Sequence, residues 1–475
     1  MITFIFAIIL LFCGYWLYGR LVERVFRPDS RPTPAVEHPD GVDYVPMKTW
    51  RIFLIQLLNI AGTGPIFGAL MGAVFGPVVF LWVVFGSILG GAVHDYMSGM
   101  ISLRMDGASI SEIVGKYLGQ GAKQIMRVFS VVLLVLVGAV FTTSPATLIA
   151  RLTPEWMNAQ FWVVVILVYY LLATLLPIDK LIGKLYPIFG GVLLIMVVGI
   201  IGGLVAGGYP LPELVIADLH PDGLPVWPFM FVTVACGAVS GFHATQSPMM
   251  ARCMKTEKDG RKVFYGAMIA ESIIALVWAA AGVAFYGTTG GLQQALAELG
   301  QSGVVYDISV SLLGVIGGVL AVIGVVVCPI SSGDTAFRSA RLTIADWFKI
   351  DQSHLPKRLA ITVPLLLVGA VLTQLNFDVI WRYFSWSNQT LAMITLWAAA
   401  MYLVRHAEKW WYSLICAVPA AFMSGVSCTY ILMAEEGLRL SQGISYPIGV
   451  LFAAACMALY LIKGVRHSRE SGLTH

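Results

Sequence analysis

Apolar segments long enough to span a membrane alternate with shorter polar connections along almost the whole chain. A transmembrane helix needs about 17–25 predominantly apolar residues, and thirteen segments meet this requirement. They lie near residues 2–19, 53–75, 78–100, 128–150, 160–177, 185–207, 227–250, 263–287, 305–330, 359–375, 383–403, 411–434 and 446–462. The pattern predicts an all-α polytopic membrane protein with about thirteen transmembrane helices.

The composition explains why these segments need lipid around them. Hydrophobic residues make up 58% of the 475 residues and charged residues only 12%, whereas a soluble domain carries roughly 25% charged residues. A soluble fold of this length has too little interior to bury so much apolar surface. The net charge of +4 is therefore no sign of a nucleic-acid partner, and the placement of the charges matters more than their sum.

Basic residues collect in every second connection between the predicted helices. These are 20–52, 101–127, 178–184, 251–262, 338–358, 404–410 and the tail after residue 462. On the opposite side only Arg151, Arg382 and Arg439 occur among the 30 Lys and Arg residues. By the positive-inside rule the amino terminus is predicted to lie outside and the carboxyl terminus in the cytoplasm.

Two predicted spans contain stretches in which a regular helix cannot continue. The second span holds Asn-Ile-Ala-Gly-Thr-Gly-Pro at residues 59–65, and the seventh holds Ser-Gly-Phe-His-Ala-Thr-Gln-Ser-Pro at residues 240–248. Unpaired backbone groups at membrane depth persist only where protein or a polar cavity satisfies them. A tolerated Gly/Pro kink would explain either stretch alone, but the two together predict discontinuous helices.

The spacing of the two breaks predicts an internal repeat. They lie five spans apart, and the predicted topology makes the two spans cross the membrane in opposite directions. This is typical of a 5+5 inverted-repeat transporter core. We therefore expect one five-helix repeat at 53–207 and an inverted one at 227–403. An extra helix and a cytoplasmic strap (1–52) would precede them, and two helices with a cytoplasmic tail (411–475) would follow.

The breaks are also the predicted place of substrate binding. The amino ends of half-helices attract anionic groups, so residues 63–66 and 245–249 would face a substrate carboxylate. The predicted substrate-binding residues are Asn59, Thr63, Gly64, His243, Thr245 and Gln246.

A third polar stretch closes the ninth predicted span and is a candidate for cation coupling. The hydroxyls of Ser331, Ser332 and Thr335 would join backbone carbonyls near Ala61 and Gly62 to bind Na⁺, a cation that requires oxygen ligands. Asp334 would carry a proton or balance the cation. Alternatively, Asp334 pairs with Arg338 one helical turn away as a structural ion pair.

Other ionisable and amide groups stand inside apolar segments, where charge is costly and usually functional. Glu271 in the eighth span is a candidate proton relay, with a buried structural acid as the alternative. His94 and Asp95, near the end of the third span, are expected to snorkel to the interface. Asn388 and Gln389 in the eleventh span are expected to hold helices together by hydrogen bonds.

Enzyme chemistry finds no support in the sequence. HExxH and GxSxG are missing, and Gly115-Lys116 lacks the upstream glycine of a phosphate-binding loop. The seven cysteines are scattered without a CxxC pair, which favours buried apolar thiols over disulfides or a zinc module. We therefore expect no enzymatic activity, no cofactor and no resident metal.

Seven motifs resemble the carbon starvation protein A family. They are Asp40–Pro46, Ile60–Pro65, Gly90–Tyr96, Ser98–Arg104, Ser240–Pro248, Phe264–Glu271 and Ser331–Arg338. The resemblance implies a multi-pass importer of peptides or of pyruvate in the bacterial inner membrane. It also implies kinship with the amino acid–polyamine–organocation superfamily, whose core is the 5+5 inverted repeat.

The chain departs from the longer members of that family at Ile55-Gln56, where they carry a pair of histidines. Substrate and coupling ion can therefore differ here. The sequence favours a secondary-active importer of short peptides, driven by H⁺ or Na⁺ and surrounded by membrane lipid. A pyruvate–proton symporter is the alternative within transport, and a nutrient sensor with a transporter fold is the alternative of another class.

Overall fold

The computed structural model describes residues 1–40, 44–174, 178–352 and 354–466. Residues 175–177, at the end of the fifth predicted span, lie outside the described residues. So do Gly41, Val42 and Asp43 of the first family motif and the tail 467–475.

Helices follow one another along the described chain. The longer ones are α1 (Ile2–Phe26), α2 (Thr49–Ala61), α3 (Gly64–Ala73), α4 (Val79–Arg104), α5 (Ile110–Leu118), α6 (Gln120–Leu152), α7 (Ala159–Ala173), α8 (Ile178–Ala206), α9 (Val226–Thr233), α10 (Phe242–Ala251), α11 (Glu257–Tyr286), α12 (Thr289–Phe348), α13 (Leu355–Leu372), α14 (Phe377–His406), α15 (Trp410–Met433) and α16 (Gln442–Val465). A short helix at Pro34–Glu37 lies between α1 and α2. No strand occurs among the described residues, which confirms the predicted all-α class.

Ten of the thirteen predicted spans coincide with described helices that are long and apolar enough to cross a membrane. Eight are single helices, the ninth is the long α12, and the tenth is the bent pair α2–α3. The remaining three fall on the 15-residue α7, on the pair α9–α10, and on α14 with its many polar side chains. For these three the count stays a prediction, as do the boundaries of the two repeats.

The ninth span differs from the prediction of 305–330. Gly300 and Gly314 have φ angles of 67° and 60° and divide α12 into helical pieces at 289–299, 301–313 and 315–348. The polar stretch 328–335 therefore lies inside a continuous helix and does not close it. Arg338 and Arg341, assigned to a connection by the sequence, are buried. Hydropathy misses the turn because apolar residues such as Val315 directly follow Gly314.

The helices differ in which surface they bury. α11 lies in the middle of the bundle and packs against α2 and α3. By contrast, α13 exposes Leu367 and Val371, and α16 exposes Val450 and Leu451. Apolar side chains are stable on an outer surface when lipid covers it, which agrees with the composition.

The segment between α1 and α2 crosses the end of the bundle that carries the basic connections. Thr33 Oγ1 donates a hydrogen bond to the carbonyl of Met254 at 2.6 Å, and Thr49 Oγ1 donates to Asp259 Oδ2 at 2.7 Å. A hydrogen bond from Arg31 holds the pKa of the Asp29 carboxyl well below its usual range. The Thr33 contact ties this segment, which we call the strap, to the residues just before α11, and the Thr49 contact ties the start of α2 to the first turn of α11.

A buried ion pair anchors the same region. Glu257 is only 1% exposed and accepts two hydrogen bonds from Arg104, from Nε to Oε1 and from Nη2 to Oε2, each at 2.9 Å. The backbone N–H of Asp29 in the strap donates to the same carboxylate at 3.0 Å. One carboxylate thus joins α4, α11 and the strap.

Glu257→Gln is expected to destabilise the protein by about 3–5 kcal/mol, because it leaves the Arg104 guanidinium without a counter-charge. Unfolding of the detergent-purified protein measures the loss. Glu408→Gln is the matched control, since Glu408 pairs with Arg27 at the surface and such pairs contribute about 1 kcal/mol or less. Equal losses in the two variants would contradict the anchoring role of Glu257.

Candidate functional site

The first break separates α2 from α3. Gly62 follows α2 with φ −19° and ψ −131°, outside the helical region, and Pro65 stands in the first turn of α3. Proline is favoured there because it has no N–H to leave unpaired. The two half-helices meet at an angle of 47°, which confirms that a regular helix does not continue through residues 59–65.

The second break is longer. Helix α9 ends at Thr233, residues 234–241 are not helical, and α10 begins at Phe242. Gly237 has φ +91°, a conformation that a side chain would strain. The prediction of a second discontinuous helix is correct, although the break starts six residues before Ser240.

The two breaks touch each other. A Cβ added to Gly64 would lie 2.6 Å from Cys236 Sγ, and one added to Gly237 would lie 3.6 Å from Pro65 Cβ. Helix α4 approaches the same place, since a Cβ on Gly91 would lie 2.0 Å from the carbonyl oxygen of Ala238. Glycine permits these close approaches, and the non-helical backbones come together inside the bundle.

Asn388 on α14 holds the second break in place. Its Oδ1 accepts hydrogen bonds from the backbone N–H of Phe242 at 2.6 Å and from Ser240 Oγ at 3.2 Å. Gln389 Nε2 donates to the carbonyl of Phe231 on α9 at 2.9 Å. The two amides join α14 to both halves of the broken helix, which is the helix-holding role expected of them.

Several buried polar groups near the breaks have no partner among the described residues. Both polar atoms of Gln56 and of Asn59 are unpaired, as are Thr63 Oγ1 and Gln246 Oε1. Helix α10 packs against α2. Buried polar groups are normally paired with protein or water, so this concentration indicates a place for a polar molecule. Thr245 differs, because its hydroxyl donates to the carbonyl of Phe242.

A chain of four ionisable side chains runs beside the second break. Asp95 Oδ1 lies 2.8 Å from His94 Nδ1, Asp95 Oδ2 lies 2.8 Å from His243 Nδ1, and His243 Nε2 lies 3.4 Å from Glu271 Oε2. All four side chains are completely buried. His243 and Glu271 were predicted separately and are brought together. The expectation that His94 and Asp95 snorkel to the interface was wrong.

The reason for this error lies in the length of α4. The helix continues to Arg104, nine residues beyond Asp95, which places Asp95 about 13 Å from the helix end at 1.5 Å per residue. The signal in the sequence was that Asp95 directly follows His94 inside an apolar span. The partner His243 is 148 residues away in the sequence, and no spacing argument connects the two.

The proposed sodium ligands are only partly assembled. Ser332 Oγ donates to the carbonyl of Leu58 on α2 at 3.2 Å, and a Cβ on Gly62 would lie 3.4 Å from the same hydroxyl. The hydroxyls of Ser331 and Thr335 donate to carbonyls of α12 itself, those of Cys328 and Ser331. Ser332 therefore faces the end of α2 that leads through Ala61 to the break.

Asp334 lies on the opposite side of α12, two residues and about 200° away from Ser332. Its Oδ2 is 3.5 Å from Arg338 Nη2, and the same guanidinium donates to the carbonyl of Ala173 on α7 at 3.1 Å. The geometry contains the structural ion pair that was the alternative for Asp334.

Cys236 is the remaining nucleophilic group beside these four ionisable side chains. Ligand atoms of Cys236, His243 and Glu271 lie within 4.8 Å of one another, close enough for one ion to reach all three. However, Cys236 Sγ lies 3.6 Å from Ser240 Oγ and 3.6 Å from Asn388 Nδ2, in hydrogen-bonding geometry. The thiol thus belongs to the network that holds the break.

Comparison with solved structures identifies proteins that share this fold. The chain superposes on the inward-facing conformation of Mhp1 with a TM-score of 0.54, at 14% identity over 90% of this chain and 92% of that one. It superposes on MhsT in complex with L-phenylalanine with a TM-score of 0.54, at 15% identity over 87% and 98% of the two chains. At such identity the likeness shows the fold alone.

Relatives by sequence have names that agree with this fold. A 25% identical relative from Bacillus subtilis, a peptide transporter CstA, aligns over 86% of both chains. The pyruvate/proton symporter BtsT of Escherichia coli is 29% identical over 55% of this chain and 46% of its own length. An uncharacterized membrane protein of Haemophilus influenzae is 42% identical over 62% of this chain and 94% of its own length.

Fold, breaks and relatives together define a multi-pass secondary transporter of the membrane, not an enzyme. The family model for carbon starvation protein CstA matches residues 1–157 and 152–285. The chain belongs to this family, and the resemblance stated from its motifs is confirmed.

Proposed function

We propose that this transporter imports short peptides across the bacterial inner membrane by symport with H⁺ or Na⁺. Its amino terminus lies outside and its carboxyl terminus in the cytoplasm. The observation that carries the proposal is the set of unpaired buried polar groups where the two broken helices meet. The name of the Bacillus subtilis relative supports a peptide as cargo.

The unpaired groups suit the ends and the backbone of a peptide. Gln56 and Asn59 each offer an amide N–H₂ donor and a carbonyl acceptor, and Thr63 offers a hydroxyl. Donors of this kind bind a carboxylate or a peptide carbonyl, and acceptors bind a peptide N–H. Gly64, at the amino end of α3, lets the substrate approach the half-helix where its dipole favours negative charge.

Two places are available for the coupled cation. One is beside Ser332, where the carbonyl of Leu58 and the backbone at Ala61 and Gly62 supply oxygen atoms for Na⁺. The other is Glu271, whose carboxyl faces His243 and holds a proton. Asp334 contributes less in this proposal, because Arg338 already balances its charge.

Pyruvate is the second candidate cargo, favoured by the name of the Escherichia coli relative. A small monocarboxylate needs the carboxylate-binding donors at the breaks but not the peptide-binding acceptors. The same site therefore offers binding groups for both cargoes, and a transport measurement distinguishes peptide from pyruvate.

The test is uptake into proteoliposomes that contain the purified full-length protein. Labelled dipeptides, tripeptides and pyruvate are offered under an imposed proton gradient, an imposed sodium gradient, and no gradient. We expect accumulation of a peptide under at least one gradient, and none in liposomes without protein. Accumulation of pyruvate alone would support the second candidate. Binding without accumulation of any of these compounds would contradict transport and favour a sensor.

A further inference from the structure

We propose that His94, Asp95, His243 and Glu271 form one proton-binding site, with the transported proton held between His243 Nε2 and Glu271. This inference rests on the proposed function and names its coupling ion as H⁺. It assigns roles to His94 and Asp95 and gives His243 a role beyond contact with the substrate.

The site joins three helices. His94 and Asp95 lie on α4, His243 on the half-helix α10, and Glu271 on α11. Helix α10 packs against α4, and α11 packs against α4 as well. Of these three helices only α10 begins at a break, so the site connects a half-helix to two continuous ones.

The hydrogen-bond donors and acceptors of the four side chains leave one place where a further proton is needed. Asp95 accepts from Nδ1 of both His94 and His243, which places a hydrogen on each of these nitrogens. The remaining nitrogen of His243, Nε2, then carries a lone pair directed at the carboxyl of Glu271, 3.4 Å away. Among the described residues, neither Nε2 nor either oxygen of Glu271 has a partner in good hydrogen-bonding geometry, although the backbone N–H of Gly237 lies near the Glu271 carboxyl and Cys236 lies near His243.

Without a further proton the pair would be unfavourable. A neutral imidazole and a charged carboxylate would present one acceptor to another inside the protein, and unpaired buried polar groups cost about 1–3 kcal/mol each. One proton converts the pair into a donor and an acceptor, bound either to His243 Nε2 or to Glu271. The geometry thus contains a place for one proton.

The charged and titratable groups that face His243 are few. Asp95 lies on the α4 side, Glu271 on the α11 side, and Cys236 in the break. His94 lies on the far side of Asp95. The negative charges of Asp95 and Glu271 both favour binding of a positive proton between them.

The imidazole nitrogen of His243 also favours H⁺ over Na⁺ at this site. Na⁺ is a hard cation that prefers oxygen ligands, as Ca²⁺ and Mg²⁺ do, whereas an imidazole nitrogen binds a proton readily. The Cys236 thiol, held by Ser240 and Asn388, is not required for proton binding.

The proton is placed where it can control a half-helix. When it is bound, α10 is tied to α4 through Asp95 and to α11 through Glu271. When it leaves for water, the N–H or O–H bond that held it breaks, the electron pair stays on the nitrogen or oxygen, and two acceptors face each other across 3.4 Å. This releases α10 from α11 while the contact with α4 persists. A ligand that binds one arrangement better shifts the equilibrium toward it, which is the requirement for coupling.

Proton counting without any substrate tests the site. Protein in nanodiscs is titrated in weak buffer from about pH 9 to about pH 5.5, above the range in which exposed carboxyls bind protons. We expect Glu271→Gln to take up its proton at lower pH than the wild-type protein, because His243 remains but one facing negative charge is gone. The double variant His243→Gln/Glu271→Gln is expected to take up one proton fewer. His354→Gln and Glu298→Gln, at an exposed histidine and an exposed glutamate, are the matched controls at the surface.

Asp95→Asn is the second variant, and it retains the proton site while removing a facing charge. Its proton is expected to be bound only at lower pH than in the wild-type protein, because a negative charge that favoured the proton is gone. A merely structural role of Asp95 would change stability and leave the position of this titration step in place.

Two results would overturn the inference. One is a proton count of the double variant His243→Gln/Glu271→Gln equal to that of the wild-type protein. The other is a stoichiometric transition metal in the purified protein, measured by elemental mass spectrometry and lost in Cys236→Ser. Neither measurement involves substrate, so failure to transport peptides or pyruvate would refute the proposed function and leave the proton count as a separate result.

Discussion

Glu271→Gln is expected to lower proton-driven accumulation of substrate in proteoliposomes by about 10- to 150-fold. The substitution replaces a charged acceptor with a neutral amide oxygen. A hydrogen bond to a charged group is worth about 1.5–3 kcal/mol, and each 1.4 kcal/mol corresponds to a factor of ten. Glutamine keeps the shape of the side chain but cannot take part in a proton cycle. The measurement is the initial rate of accumulation under an imposed inward proton gradient.

Exchange of labelled for unlabelled substrate across the same membranes separates coupling from binding. We expect exchange by Glu271→Gln to persist, because the proposed substrate-binding residues Gln56, Asn59 and Thr63 are unchanged. Glu298→Gln, an exposed substitution, controls for the loss of a carboxylate as such. If accumulation and exchange fell together in Glu271→Gln, the residue would act in substrate binding or folding and not in coupling.

Gly91→Ala is expected to abolish measurable transport and to lower stability by about 1–3 kcal/mol, the usual cost of overpacking a filled interior. The added Cβ would lie 2.0 Å from the carbonyl oxygen of Ala238. This oxygen belongs to the backbone of the second break, which cannot turn aside as a flexible side chain can. The break must therefore move away from α4, and the distance of 2.8 Å between His243 Nδ1 and Asp95 Oδ2 would increase.

Gly202→Ala is the matched control for Gly91→Ala. Gly202 lies within α8, and nothing stands within 4 Å of the Cβ that alanine would add. Alanine is favoured over glycine in a helix by about 1 kcal/mol, so this variant should be as stable as the wild-type protein or slightly more stable. Thermal unfolding and uptake of both variants check the prediction. Normal transport by Gly91→Ala would show that the second break does not depend on its contact with α4.

The sequence was sufficient to predict the fold class and both broken helices. Lipid as a solvent makes the requirement for helices strict, so hydropathy and the distribution of basic residues carry most of the information. Glycine and proline beside small polar residues inside apolar spans indicated the breaks. The same reasoning misplaced the ninth span, because Gly314 turns the chain in the middle of an apolar run and hydropathy does not register φ angles.

Only part of the candidate site could be predicted from the sequence. His243 and Glu271 were recognised as ionisable groups within apolar spans, but their distance from each other depends on how α10 packs beside α11. Asp95 was recognised as unusual and then assigned to the interface, because the inward position of a side chain on α4 follows from helix packing. The pairing of Asp334 with Arg338, by contrast, followed from helical spacing alone.

In the proposed cycle the broken helices bind a substrate and a proton together. The most direct measurement of this cycle is the pH inside proteoliposomes, reported by an enclosed dye, after the transported peptide is added outside without any imposed gradient. We expect the interior of vesicles with wild-type protein to acidify as the peptide enters. Entry of the peptide with no change of internal pH would contradict proton-coupled transport.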